Sequence, residues 1–372
     1  MINPKSFYDH LIEHSEFITG VPDSLLKEFN ACVLNEHPKN KHIIAPNEGT
    51  SIGLAIGNFI ATGKVPTVYM QNSGIGNAVN PLMSLADKDV YGVPMLVIIG
   101  WRGEPGVKDE PQHFKQGLIQ EGLLMAMQLD YRILDSENQD WSAILDDLYA
   151  LAIKDQCPKV LLVKKGTFDS YNSPAGVQLD LESRESAINT VLDGLGKGSI
   201  FIGTTGKASR ELFELRVARE ESHENDFLTV GGMGHASAIA TGISMNTTKR
   251  VVCLDGDGAL LMHMGGLVST AHYASSNFVH VVINNGVHES VGGQPTLINN
   301  VDVKALAVAS GYQKAYSVKT AADFNQVCES DALGKGAVLI EYIVKPGARK
   351  NLGRPTQSPK ENLKQLMSVV CK

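Results

Sequence analysis

Disulfides, a zinc knuckle and a membrane anchor are all features this chain lacks the material to build. Its five cysteines, Cys32, Cys157, Cys253, Cys328 and Cys371, stand singly, with no Cys-x-x-Cys among them. An odd, scattered set suits neither a disulfide framework nor a zinc site, and it fits a reducing, cytoplasmic compartment. The longest apolar runs, such as Pro94 to Ile99, are far too short to span a bilayer, so no membrane partner is expected. Met1 to Asp9 carries no long apolar run and does not read as a signal peptide. Basic charge is also in deficit. Lys and Arg number 33 against 40 Asp and Glu, and the net charge of −7 argues against a nucleic-acid partner. No strand-like run leads into Gly-x-Gly-x-x-Gly, which disfavours a nicotinamide-dependent dehydrogenase.

What is there is a chain of 372 residues, enough for two domains of ordinary size. Its hydrophobic fraction of 43% and charged fraction of 20% fit a soluble globular protein. Short apolar runs alternate with helical periods throughout. Glu16–Gly20, His42–Ala45, Pro66–Met70, Pro94–Gly100, Tyr131–Leu134 and Pro158–Val163 read as strands of a first α/β domain. Ser199–Gly203, Asp226–Val230, Val251–Asp255, His280–Ile283 and Ala337–Val344 read as strands of a second. The expected fold class is therefore α/β, with two doubly wound parallel-sheet domains at 1–168 and 182–372 and a linker at 169–181, where Ser, Asn, Pro and Gly collect.

The most informative stretch is Val251 to Thr296. An apolar run ends in Gly256-Asp257-Gly258, a helix-like segment from about Leu260 to Ser275 follows, and a second apolar run ends in Asn284-Asn285. Two parallel strands ending at one sheet edge bring Asp257 and Asn285 together, where ligands of such sheets bind. One carboxylate and one amide oxygen suit a hard cation such as Mg2+, which takes its remaining ligands from phosphate and water. Gly258 and Ala259 open the crossover helix, so their N–H groups can face a diphosphate.

Other segments carry chemistry less specifically. Gly20-Val21-Pro22-Asp23-Ser24 is a turn, in which Asp23 or Ser24 can cap a helix from Leu25 to Leu34. Glu48 sits at a strand-to-helix junction before a small-residue helix, where the helix dipole favours an acid. Gln71 to Asn77, including Asn72, forms a loop whose glycines admit a close ligand. Trp101 to His113 reads as a thirteen-residue loop without period, and it offers Arg102, Lys108 and His113 to an anion. Gly231-Gly232-Met233-Gly234-His235 runs three glycines beside one bulky apolar group. The tail from Lys345 to Pro355, with Arg349, Lys350 and Arg354, turns basic in an acidic chain, which points to an anionic partner or to a solvated exit from the fold.

The Gly-Asp-Gly…Asn-Asn pattern resembles the signature of thiamine diphosphate enzymes. The resemblance implies thiamine diphosphate and Mg2+ as cofactors, with Asp257, Asn285 and the carbonyl of Val287 as metal ligands. It makes Glu48 the group that protonates the aminopyrimidine ring and so activates C2. Met233 becomes the wedge between the two cofactor rings, and the Gly231 carbonyl accepts from the 4′-amino group. Gly232, His235, Gly256, Gly258, Ala259 and Asn72 would line the cofactor. The first domain is then of the pyrimidine-binding type and the second of the diphosphate-binding type. In that superfamily the cofactor lies between domains of different subunits, which implies a homo-oligomer, at least a dimer, with its site at the subunit interface.

Within the superfamily the chain is most similar to the phosphonopyruvate decarboxylase family. The similarity rests on Gly20–Ser24, Trp101–Gly106 with Asp109–His113, Gly232–Ser237 and Leu352–Pro355. It implies a carboxy-lyase acting on a small anionic 2-oxo acid, with Asp23 and His113 near the reacting carbons and Arg102, Lys108 or Arg354 on the phosphonate. The sulfopyruvate decarboxylases share much of this pattern and are the alternative. A non-catalytic subunit of the same fold is a third reading, and an intact Glu48 beside an intact metal motif speaks against it.

Overall fold

The computed structural model describes residues 1–172, 179–330 and 333–371. They form two compact units, one of Met1–Ala175 with Ser290–Gln294 and one of Gly176–Glu289 with Pro295–Lys372. Residues 173–178 of the linker expected at 169–181 lie outside the described residues. Among the described residues no helix is long and apolar enough to cross a membrane.

The first unit contains six strands: β1 (Ile18–Gly20), β2 (His42–Ile44), β3 (Thr67–Gln71), β4 (Met95–Gly100), β5 (Tyr131–Leu134) and β6 (Pro158–Val163). They pair in the order β2-β1-β3-β4-β6-β5, and every pairing is parallel. The crossovers carry α1 (Pro4–His14), α2 (Lys27–Glu36), α3 (Glu48–Thr62), α4 (Ile75–Pro81), α5 (Pro111–Ala126) and α6 (Trp141–Asp155). Side chains of a strand alternate between faces, and both faces of this sheet are covered. Leu96 and Ile98 join Phe7, Leu11, Phe29 and Leu148 on one side. Val97 and Ile99 join Ile52, Ala55, Ile75 and Leu124 on the other. Each such aliphatic side chain contributes about 1.5–3 kcal/mol by burial, and β4, one of the two central strands, is buried along its whole length.

The second unit repeats the plan. Its strands are β7 (Ile200–Gly203), β8 (Asp226–Leu228), β9 (Val251–Gly256), β10 (Phe278–Asn284), the two-residue β11 (Val287–His288) and β12 (Gln294–Pro295), then β13 (Lys314–Val318) and β14 (Val338–Ile343). The six long ones pair as β13-β14-β10-β9-β7-β8, again in parallel. Read from the other edge, this is the order of the first sheet. The helices are α7 (Arg184–Leu195), α8 (Lys207–Ala218), α9 (Ala236–Ser244), α10 (Asp257–Met262), α11 (Gly266–Tyr273), α12 (Val303–Ala309), α13 (Ala321–Glu329) and α14 (Pro359–Val370). Val252 and Leu254 pack under α7 and α8, while Val251 and Cys253 pack under α9 and α11.

In each sheet the winding reverses beside the first strand of the unit. Ligands of open parallel sheets bind at the carboxyl ends of the strands flanking such a reversal. In the first unit those ends lead into Val21–Asp23, Asn47–Glu48, Asn72–Gly74 and Trp101–Arg102. In the second they lead into Thr204, Gly231–Met233, Asp257 and Asn285.

Several local expectations are corrected. Neither Asp23 nor Ser24 caps α2, which starts later behind Leu26 with no side-chain cap bond. Helix α3 begins at Glu48 itself, one residue after Asn47, whose side chain accepts from the Thr50 N–H and caps it. The thirteen-residue loop is shorter than expected. Pro111 at the first helical position pre-sets the backbone, so α5 takes in Pro111, Gln112 and His113. The single crossover helix expected between β9 and β10 is two, α10 and α11, broken where His263 leaves helical dihedrals.

Candidate active site

Glu48 is the first residue of α3, just past the end of β2, and is only 4% exposed. Its Oε2 accepts a 2.7 Å bond from Asn77 Nδ2, on α4. Burial pushes its carboxyl upward from the usual range, and the Asn77 bond opposes this only in part. The carboxyl is thus poised to hold a proton at a pH where a surface glutamate has lost it. Gly74 makes room for it. A Cβ there would sit 2.6 Å from Glu48 Cγ, with the carboxyl closer still. Gly74→Ala is therefore expected to displace Glu48 and cut turnover by at least about tenfold. Gly122→Ala, in the interior of α5 with open space around it, is expected to be neutral or stabilising by up to ~1 kcal/mol. Equal activity in the two variants would show that the position of Glu48 does not matter.

Asp23 is fully buried after β1. Gln71 Nε2 donates to its Oδ1 at 2.6 Å, and the Leu25 N–H donates to Oδ2 at 3.2 Å. Burial raises its carboxyl too, against the pull of Gln71 and of the nearby Arg102 charge. Gly100 permits the close fit, since a Cβ there would lie 3.0 Å from Asp23 Cγ, with Oδ2 nearer.

Arg102 follows β4. Its Nε donates to Asp109 Oδ2 at 2.8 Å, Nη2 pairs with the other Asp109 oxygen, and Nη1 donates to Ser24 Oγ at 2.7 Å. Asp109 also accepts the N–H groups of Gly103 and Glu110. This fork organises the loop, and it leaves Arg102 partly neutralised. Asn72 is tied to the same place. Its side chain donates to the Arg102 carbonyl at 2.8 Å and accepts the Arg102 N–H at 3.1 Å. His113 is buried behind the fork with its Nδ1 unpartnered among the described residues. Burial, helped by the Arg102 charge, lowers its imidazole to about 4. Lys108 is exposed on the loop. Asp23, Asn72, Arg102 and His113 are thus gathered at the carboxyl end of the sheet, where Gln71 orders Asp23 and Asp109 orders Arg102, while Asn77 orders Glu48.

In the second unit Asp257 opens α10 and is 4% exposed. Thr296 Oγ1 donates to its Oδ2 at 2.6 Å. No ion pair to Asp257 occurs among the described residues, and burial pushes its carboxyl up to about 6. Asn285 lies past the neighbouring strand end. Its Nδ2 donates to Glu289 Oε2 at 2.9 Å, and its Oδ1 accepts the Val287 N–H at 3.2 Å. Its companion Asn284 is turned into the sheet, where it donates to Glu341 at 2.8 Å. A buried carboxylate without a counter-charge, an amide oxygen and a backbone carbonyl are hard donors, and they fit Mg2+.

Behind Asn285 stands an ion-pair network. Glu289 accepts from Arg184 Nη1 at 2.6 Å and from Lys207 at 3.1 Å, while Glu211 holds Arg184 through two bonds of 2.6 and 2.7 Å.

The glycine segment after β8 has positive φ at Gly232 (67°) and Gly234 (85°), a backbone that glycine adopts without strain. A Cβ on Gly258 would lie 2.9 Å from His288 Cε1 and 3.3 Å from Met233 Cε. Gly258, Met233 and His288 therefore converge on one small space. Burial holds His288 at about 4. His235 stays exposed, with Nδ1 at 3.2 Å from the Gly232 and Met233 carbonyls and its ring against His263.

The basic tail is folded onto its own unit. Arg349 pairs with Glu185 at 2.9 Å and with Glu214, and Arg210 binds the Gly353 and Leu352 carbonyls. Arg354 is exposed. Helix α14 then docks through Asn362, which exchanges bonds with Leu228 and Asp226 of β8. Sequence reasoning missed Asn77, Gln71, Asp109, Thr296, Glu289 and Arg184 as partners of the site. Each is joined to its target by tertiary structure or by a loop turn, and no sequence period marks it.

Fold and site together define a thiamine pyrophosphate enzyme. The C-terminal TPP binding domain of thiamine pyrophosphate enzymes matches residues 203–342, and the N-terminal TPP binding domain matches residues 6–124. Phosphonopyruvate decarboxylase of Streptomyces viridochromogenes is 31% identical over 369 residues, which cover 95% of this chain and 91% of that one. Phosphonopyruvate decarboxylase of Streptomyces hygroscopicus is 31% identical over 360 residues, 92% of this chain and 88% of that one. Sulfopyruvate decarboxylase of Methanosarcina acetivorans is 24% identical, covering 100% of this chain and 98% of its own. This chain belongs to the phosphonopyruvate decarboxylase family.

Proposed function

We propose that the protein decarboxylates 3-phosphonopyruvate to phosphonoacetaldehyde and CO2, with thiamine diphosphate and Mg2+, as a step of phosphonate biosynthesis in the cytoplasm. The observation that carries the substrate assignment is the near-full-length relationship to two phosphonopyruvate decarboxylases at 31% identity, against 24% for the sulfopyruvate enzyme. Thiamine diphosphate, when bound, supplies the nucleophilic carbon and the electron sink that 2-oxo acid decarboxylation needs.

The protein's residues do the rest. Asp257, Asn285 and the Val287 carbonyl hold Mg2+. Gly256, Gly258, Ala259 and His235 lie against the diphosphate, and Gly231, Gly232, Met233 and Asn72 against the rings. Glu48 holds the proton that the pyrimidine nitrogen takes. Asp23 and His113 have environments that push their proton affinities in opposite directions, up for the acid and down for the imidazole. Such a split assigns roles. Asp23 is the proton donor and neutral His113 the acceptor near the reacting carbons. The remaining N–H groups of Arg102, with Lys108 and Arg354, receive the phosphonate, for which a guanidinium fork is better shaped than an ammonium. Residues 1–168 act as the pyrimidine-binding domain and 182–372 as the diphosphate-binding domain. The assembly is at least a dimer, with its site at the subunit interface.

Glu289 keeps Asn285 aimed. Glu289→Gln is expected to weaken Mg2+-dependent cofactor binding by about tenfold, as loss of an outer partner of a metal ligand does. Fluorescence titration measures this, and wild-type affinity in the variant would remove Glu289 from the site. The proposed reaction itself is tested by 31P NMR of phosphonopyruvate incubated with the holoenzyme. A phosphonoacetaldehyde signal that requires both thiamine diphosphate and Mg2+ is expected, and its absence would overturn the proposal.

A further inference from the structure

Outside the active site, α1 and α6 bring two imidazoles and a carboxylate together. His10 and His14 are four residues apart on α1, which stacks them on one face. His10 Nε2 lies 2.8 Å and His14 Nε2 2.7 Å from the same oxygen, Asp146 Oδ1 on α6. All three ligand atoms fall within 4.8 Å of one another. The rings are held from behind. His14 stacks on buried Tyr149 with centroids 4.8 Å apart and planes at 12°, and His10 meets Trp141 edge-on at 5.7 Å. Glu13 Oε2 stands 3.8 Å from His10 Nδ1, too far for a hydrogen bond but near enough to favour a cationic site. The open side faces water, with side-chain exposures of 23% for His10, 30% for His14 and 52% for Asp146.

We propose that His10, His14 and Asp146 form a site for a borderline divalent transition metal, best suited to Zn2+, that clamps α1 to α6. Two imidazole nitrogens and one carboxylate oxygen are the donor set Zn2+ takes with water in its fourth position. On tetrahedral Zn2+ such atoms stand about 3.3 Å apart, so the two nitrogens withdraw from Oδ1 by roughly half an ångström as the metal replaces the shared protons. Rotation of the exposed Asp146 side chain supplies that movement. Mg2+ does not compete, because it prefers oxygen ligands in octahedral array. The site is independent of the reaction assigned above, since it uses none of the residues given a role in decarboxylation or cofactor binding.

The test is a titration of the holoenzyme, kept in excess thiamine diphosphate and Mg2+, with Co2+ and then Zn2+. Visible d–d absorption from one Co2+ per chain is expected, bleached by one equivalent of Zn2+, together with a thermal midpoint raised by Zn2+. His14→Gln and Asp146→Asn keep polar side chains of similar size. Each is expected to lose affinity by more than about 100-fold, beyond what loss of an outer partner costs, with decarboxylase activity retained. Should His14→Gln fail to fold, Asp146→Asn gives the same reading from the exposed partner. No Co2+ or Zn2+ uptake by the intact protein, or unchanged affinity in the variants, overturns the site.

Discussion

Asp257→Ala is expected to abolish Mg2+-dependent binding of thiamine diphosphate, with a loss of affinity on the order of 10³ or more, because the ion that neutralises the diphosphate has lost its charged ligand. Asn285→Ala, which removes a neutral ligand, should cost less. Asp257→Ala should leave the apo-protein as stable as before, or slightly more so. Asp257 is buried without an ion-pair partner among the described residues and is pushed up to about 6. That placement costs folding free energy that a cation would offset. The pairing of lost binding with retained thermal stability is what separates a metal ligand from a structural acid. Wild-type cofactor affinity in Asp257→Ala would mean that the metal site is elsewhere.

Glu48→Gln should preserve the fold and cofactor binding while slowing deprotonation at C2 by about 10²–10⁴-fold, the usual scale for a lost acid–base partner. Glutamine has the same shape, and its Oε1 still accepts the Asn77 bond. What it loses is the exchangeable carboxyl proton, whose affinity burial raises. Proton–deuterium exchange at C2, followed by NMR after acid quench, reads this step apart from decarboxylation. Exchange at the wild-type rate would remove Glu48 from the mechanism.

The placement of the candidate site residues was legible because the sheet logic is local. Apolar runs ending in Gly256-Asp257-Gly258 and in Asn284-Asn285 announce their own carboxyl ends, and adjacent parallel strands bring them together. The second asparagine rather than the first proved to be outside the sheet, as Asn284 is the last residue of β10. The supports were not legible. Glu289 reaches Asn285 from the same loop, but Arg184 meets Glu289 across 105 residues, and no pattern connects them.

Loop lengths also misled. Pro111 reads as part of a Gly- and Pro-rich stretch, yet at the first position of a helix it starts α5 and puts His113 on a rigid element. The tail was legible only in part: of the cations that pointed to an anionic partner or a solvated exit, Arg349 is taken up by Glu185 and Glu214, while Arg354 is exposed. Ser358 and Glu361 form a capping box that starts α14. The Ser-x-x-Glu spacing of that box is itself a sequence mark of a helix start.

The measurement that bears most directly on the central claim is kcat/KM for phosphonopyruvate, sulfopyruvate and pyruvate on one preparation with saturating thiamine diphosphate and Mg2+. The three share the 2-oxo acid and differ in the remote group, so the comparison isolates remote binding energy used in the transition state. Phosphonopyruvate is expected to lead both others, with pyruvate lowest because it carries no remote anion for the proposed contact with Arg102. A lead for sulfopyruvate would move the protein to the sibling reaction, and a lead for pyruvate would contradict the account.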